Sequence, residues 1–199
     1  MNTGLHDVWN LVWKLDLVLH GRGNEELLQS YSAERRPVIK QVIETTDFLT
    51  KAMGTPSKLA QTLRDAVIPM VSRLAPFQHA FVRRLSELGV AYGGSPIVEG
   101  AGERYFDDSL RGGDGIRSRF LLVLDNDVDS STRRAAEQLA GSFSYIVELR
   151  LRPRGNITLV RPDGYIAYSA PSREGSGALT SVRSLLERQT NTQQGTRAA

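Results

Sequence analysis

Ile157-Thr158-Leu159-Val160-Arg161-Pro162-Asp163-Gly164-Tyr165-Ile166-Ala167-Tyr168 reads as two strands and the turn that joins them. β-Branched and aromatic residues flank a four-residue break. In the break Pro162 presets one dihedral, Asp163 bonds locally and Gly164 takes a positive angle, so the segment is a hairpin. Upstream, Phe120-Leu121-Leu122-Val123-Leu124 is an unbroken apolar run bounded by turn residues, the pattern of a strand covered on both faces.

Working outward, Ser131 to Leu139 reads as a helix stopped near Gly141. Between Tyr145 and Arg152, Val147, Leu149 and Leu151 alternate with Glu148, Arg150 and Arg152, which predicts a half-buried strand. A last helix runs from about Ala178 to Arg188 and carries Leu179, Val182, Leu185 and Leu186. The order strand, helix, strand, strand, strand, helix fits a thioredoxin-like layer over 119–188. Residues 189–199 are polar and are expected to be a disordered tail. The fold class predicted for the whole chain is α+β, an N-terminal helical segment followed by the thioredoxin-like α/β domain.

The N-terminal stretch Met1-Asn2-Thr3-Gly4-Leu5-His6-Asp7-Val8-Trp9-Asn10-Leu11-Val12-Trp13-Lys14-Leu15 reads as a turn feeding a buried helix. Asn2 and Thr3 are N-cap types, and Gly4 permits close approach to the backbone. Leu5, Val8, Trp9, Val12, Leu15 and Leu19 recur at the spacing of one helical face, and Leu11 and Val18 widen the stripe. Gly21-Arg22-Gly23 supplies a left-handed C-cap. Asn24 caps a second helix, with Glu25 and Glu26 in its first turn and Leu27, Leu28 and Tyr31 on its buried side. Pro37 must start a new helix or kink a continuous one, and the helical pattern then stops at Gly54. Arg35-Arg36 could contact an anion, but bonding to Glu34 or to helix-end carbonyls is the favoured reading. Two shorter helices are expected near 57–68 and 77–88, so residues 1–92 form the helical part.

Residues 93–118 are loop chemistry, with Gly93-Gly94-Ser95-Pro96, Gly100-Ala101-Gly102 and Gly112-Gly113-Asp114-Gly115. They lack the lysine and the strand-to-helix setting of a phosphate cradle, so they read as a linker. Asp125-Asn126-Asp127-Val128-Asp129 begins like a calcium loop, but Ser130 and Ala136 stand where glycine and glutamate are needed, leaving a strand-to-helix loop. Arg150, Arg152, Arg154 and Arg161 read as a solvated strand face rather than a nucleic-acid stripe. His6, His20 and His79 have no metal spacing, so no metal ligand is assigned, and no catalytic residue either.

Composition narrows the function classes. Without cysteine there is no disulfide, thiolate metal site or dithiol, so a thioredoxin-like layer here cannot do redox chemistry itself. The net charge of +3 is too small to argue for nucleic acid. Apolar runs far short of a membrane span, and an amphipathic rather than basic-then-apolar N-terminus, give the cytoplasm as the expected location.

The first fifteen residues resemble the Gly-Met-Asn-Thr-Gly, Asp-Ala, Asn-Leu, Trp-Lys-Leu motif of FAD-dependent aromatic-ring monooxygenases of the phenol and p-hydroxybenzoate hydroxylase type. Tyr31 to Val38, with Glu34-Arg35-Arg36-Pro37, is similar to a run that follows in that family. So are Leu85 to Tyr92, Ser95 to Val98, Ala101 to Asp107 and Leu159 to Tyr168. Val8 stands where the family usually has alanine, and Phe106 where it has proline. The resemblance implies the C-terminal half of such an enzyme, whose Gly-x-Gly-x-x-Gly strand would precede residue 1. It implies that Met1, Asn2, Thr3 and Gly4 contact FAD at the pyrimidine edge, with the helix dipole favouring negative charge on the reduced ring. It also implies a phenolic substrate, O2 and NADH or NADPH as co-substrate. The chain alone is expected to be inactive, with a homodimer or the missing N-terminal half as partner. The alternative is a non-catalytic thioredoxin-like packing or dimerisation module left from such an enzyme.

Overall fold

The computed structural model describes residues 2–54, 89–106, 119–153 and 155–190. The helices expected at 57–68 and 77–88, His79, Arg154 and residues 191–199 lie outside the described residues. Two helices open the chain, α1 (Asn2–Leu19) and α2 (Glu25–Gly54). Further along the chain come β1 (Phe120–Asp125), α3 (Ser130–Ser142), β2 (Val147–Arg152), β3 (Ile157–Val160), β4 (Ile166–Ala170) and α4 (Gly175–Gln189). The strands lie in the order β2-β1-β3-β4. β1 is parallel to β2 and antiparallel to β3, and β3 and β4 form the expected hairpin. This is the α+β architecture with the thioredoxin-like layer that the sequence predicts.

The layer's local signals act as read. Asp129 caps α3, its side chain accepting from the Ser131 and Thr132 amides. Those bonds and the two hydroxyls beside them hold its carboxyl far below the usual range. Gly164 takes a positive φ of 80° in the hairpin turn. β1 is buried on both faces. Phe120, Leu122 and Leu124 enter the main core, while Leu121 and Val123 meet Val160 and Tyr105 on the other side. Gln189 and Thr190 are buried, and Thr190 forms a bridge with Gly23.

The two opening helices share the main core with the sheet. Trp13, Leu17 and Leu27 join Phe120 and Leu185 in one cluster. The Trp13 and Phe120 rings meet edge to face, centroids 5.6 Å apart. α1 ends as expected, with Gly21 at φ 68° and the Arg22 amide donating to the Leu17 carbonyl. Asn24 caps α2 by accepting from the Leu27 amide at 3.3 Å. Of the two outcomes open for Pro37, the continuous helix is the one found, with Pro37 inside α2.

The buried-helix reading of α1 is overturned, while its stripe is exposed as an interface for a missing N-terminal half should be. The apolar stripe of α1 is not its buried face. Leu5, Val8, Trp9, Val12 and Leu19 are 55–80% exposed, and Leu15 is half-buried. The inward face carries Asn10, Trp13, Lys14 and Leu17, each at most 4% exposed. Periodicity finds an apolar face, but what the helix packs against decides which face is inward. Here the inward side meets charged partners that bond Lys14 Nζ and Asn10 Nδ2.

Candidate functional site

The inward face of α1 ends in a buried charge cluster. Glu34 of α2, 3% exposed, is its centre. Its carboxylate accepts from Lys14 Nζ at 2.8 Å, Asn10 Nδ2 at 2.6 Å and Ser95 Oγ at 2.6 Å. Arg161 of the hairpin turn donates to it through both terminal nitrogens, at 2.6 and 3.0 Å. The same guanidinium clasps Asp163, Nε to Oδ1 at 3.0 Å and Nη2 to Oδ2 at 2.5 Å. Trp13, Tyr92 and Tyr165 stand around Arg161, ring centroids 5.3, 5.1 and 6.0 Å from its central carbon. A doubly forked guanidinium inside an aromatic wall is a strong, directional contact.

The four charges balance, Lys14 and Arg161 against Glu34 and Asp163, which makes burial tolerable. Burial pushes the Glu34 carboxyl up, but the Arg161 and Lys14 charges and their hydrogen bonds outweigh it and hold it at about 2. Burial lowers Lys14 to about 8, with Glu34 opposing. Burial also works against Arg161, yet the Asp163 and Glu34 carboxylates raise it further above its ordinary value. Burial raises both Tyr92 and Tyr165, so these phenols stay protonated.

A second contact reaches the first turn of α1. Arg35, 1% exposed, donates from Nε to Asp7 Oδ1 at 2.6 Å and from Nη2 to the Thr3 carbonyl at 3.4 Å. Its Nη1 donates to Tyr92 Oη at 3.2 Å. Tyr92 is fixed in turn by its amide, which donates to the Gly102 carbonyl at 3.0 Å. Gly102 has φ 64°, and a Cβ there would lie 2.7 Å from the Tyr92 carbonyl carbon, so only glycine fits.

Among the residues expected to contact FAD, Met1 lies outside the described residues. Asn2, Thr3 and Gly4 form the first turn of α1 itself rather than a turn ahead of it. Thr3 is half-buried and Gly4 exposed, and no atom of the described residues lies within 4 Å of where a Gly4 Cβ would stand. An exposed helix start leaves backbone amides without helical partners, beside a position with no side chain. A flat, anionic ring edge fits such a place.

The cluster itself is not evident from single positions. Arg35 pairs with Asp7 and the Thr3 carbonyl of the other helix, where Glu34 or helix-end carbonyls were the favoured partners. Arg161 is buried, so it does not belong to a solvated strand face. Asp163 bonds within its own turn as expected, to Arg161 two residues back, and also accepts from Asn10 Nδ2 at 3.4 Å across the core. The usable signal is that Asn10, Lys14 and Glu34 fall at helical spacing with Trp13, Leu17, Leu27 and Val38.

These features define a helix pair docked on a thioredoxin-like layer, its first helical turn presented at the surface. Residues 1–46 match the family described as the FAD binding domain. The chain is 27% identical to 6-methylpretetramide 4-monooxygenase of Streptomyces rimosus, covering 90% of this chain and 40% of that protein. It is 34% identical over 100 residues to a 3-(3-hydroxy-phenyl)propionate/3-hydroxycinnamic acid hydroxylase of Escherichia coli, covering 50% of this chain and 18% of that protein. Its fold is that of the rebeccamycin biosynthetic enzyme RebC with reduced flavin, TM-score 0.60 and 24% identity, covering 92% of this chain and 41% of that one. It is likewise that of the flavin-dependent monooxygenase PieE in complex with FAD and substrate, TM-score 0.56 and 19% identity, covering 94% and 44%. The chain is thus similar to an FAD-binding domain over residues 1–46 and to a monooxygenase and a hydroxylase in sequence, and it spans less than half the length of these relatives.

Proposed function

We propose that this chain forms one wall of the flavin site, with the thioredoxin-like layer behind it, in a monooxygenase that hydroxylates a phenolic ring with NAD(P)H and O2. The observation that carries the proposal is a convergence. Asp7, Glu34, Arg35, Tyr92, Arg161 and Asp163 lie in separate stretches of family resemblance, and in space they join one network behind the first turn of α1. In this reading Asn2, Thr3 and Gly4 are the cofactor contacts, with Met1 beside them. The chemistry supplied by bound FAD is redox. The chain's own part is electrostatic and steric: first-turn amides favour negative charge at the ring edge, and the missing Gly4 side chain admits it.

The domain division proposed is a helical part over 1–92, a linker over 93–118 and the thioredoxin-like layer over 119–188; the tail expected over 189–199 does not start at 189, because Gln189 ends α4 and both it and Thr190 are buried. The proposed partner is the N-terminal dinucleotide-binding half of such an enzyme, set against the exposed apolar stripe of α1. No helix among the described residues is long and apolar enough to cross a membrane, which agrees with a proposed cytoplasmic location. The test is to mix the chain with the N-terminal half of a relative, then add FAD, NADH or NADPH and a phenol. The proposal predicts flavin retention and phenol-dependent NAD(P)H oxidation only in the mixture. Association without flavin retention would overturn it.

A further inference from the structure

We propose that Arg35 is a positioning residue that sets the first turn of α1 for cofactor contact, which deepens the functional proposal above and rests on it. The first turn of a helix frays readily because its amides lack helical partners and few packing contacts hold it. Its described apolar side chains do not hold it: Leu5 and Val8 point outward, 65% and 58% exposed. Arg35 holds it instead, from the neighbouring helix. One guanidinium edge takes the Asp7 carboxylate at 2.6 Å, and another nitrogen reaches the Thr3 carbonyl at 3.4 Å. Asp7 lies four residues beyond Thr3, so the two acceptors sit one above the other on the helix face that Arg35 meets.

The anchor is rigid at its own end. Arg35 is adjacent in α2 to Glu34, which the charge cluster fixes, and its third contact is to the phenol of Tyr92. The first turn is therefore referenced to the hairpin turn of the thioredoxin-like layer through Arg35, Glu34 and Arg161. A lysine could keep the charge but not the fork, because its ammonium is a single point donor group.

Arg35→Lys, Arg35→Met and Asp7→Asn test this in the full chain by amide hydrogen exchange without flavin, then by FAD titration in the presence of the N-terminal half of a relative. In Arg35→Lys and Arg35→Met, exchange at residues 5–8 is expected to quicken about tenfold while Trp13 to Leu17 and the sheet keep their rates. Asp7→Asn should give a smaller change in the same residues. Where the wild type binds FAD, both Arg35 variants should bind at least about tenfold more weakly, with no rescue by lysine. Unchanged exchange at residues 5–8 overturns the proposal. So does acceleration spread equally over α1 and the sheet, which is a general loss of stability, or FAD affinity equal to wild type. A wild type that binds no FAD defeats the functional reading but leaves the exchange result to decide the role of Arg35.

Discussion

Arg161 and Lys14 are both buried cations on Glu34, but they are not equivalent. Arg161 serves two carboxylates, so Arg161→Met leaves Glu34 and Asp163 without their forked partner and should cost about 3–5 kcal/mol. Lys14 is already penalised by burial, and Glu34 keeps Arg161, Asn10 and Ser95 without it. Lys14→Met should therefore cost under about 1.5 kcal/mol, as a near volume-conserving swap. Urea unfolding of the two variants checks the ranking. The pH dependence has a sign for each group. Glu34 is depressed from 4.5 to about 2, so its contribution is complete above 4.5 and is lost as pH falls through 2. Lys14 is depressed from 10.5 to about 8, so between those values the unfolded chain holds a proton that the folded chain has released, and stability rises with pH. Lys14→Met should flatten that alkaline rise and move the acid limb to higher pH, because Glu34 loses one of the two cations that depress it, as read from melting temperature against pH.

At the scale of elements, α1 shows what a sequence does and does not disclose. Its length, its Gly21 cap and its apolar stripe were legible, because propensity, capping and periodicity are local. The inward face was not, because it depends on Glu34 and Arg161, 24 and 151 positions from Asn10 by residue number. The hairpin and β1 were legible for the opposite reason: turn chemistry and an apolar run act over a few residues. Two substitutions follow. Trp13→Ala removes a buried ring set edge-on against Phe120 and should cost about 3–5 kcal/mol, measured by thermal or denaturant unfolding. Gly102→Ala meets a positive φ and the Tyr92 backbone at once, so it should destabilise by more than the roughly 1–2 kcal/mol of a left-handed residue alone. It should also loosen the Tyr92 contact to Arg35, visible as faster exchange in the first turn of α1.

At the scale of the whole molecule, the chain is closed on one side and open on another. The helix pair and the layer share a core, while Leu5, Val8, Trp9, Val12 and Leu19 face outward along one helix. Burying such side chains is worth about 1.5–3 kcal/mol each before ordering costs, enough to hold a complementary half. The candidate cofactor contacts were legible only through resemblance, since Asn2, Thr3 and Gly4 carry no side-chain chemistry that names a ligand. The network behind them was legible in pieces, each of which had a plainer local reading.

Gly4→Val tests the central claim most directly. A Cβ at Gly4 meets nothing within 4 Å among the described residues, so valine there is expected to spare their packing while filling the space a ring edge would use. The measurement is quenching of FAD fluorescence by wild type and Gly4→Val, each mixed with the N-terminal half of a relative. The account predicts saturable quenching with wild type and at least about tenfold weaker binding with Gly4→Val, one step of roughly 1.4 kcal/mol or more. Equal flavin affinity for the two proteins, with equal association of the halves, would contradict it.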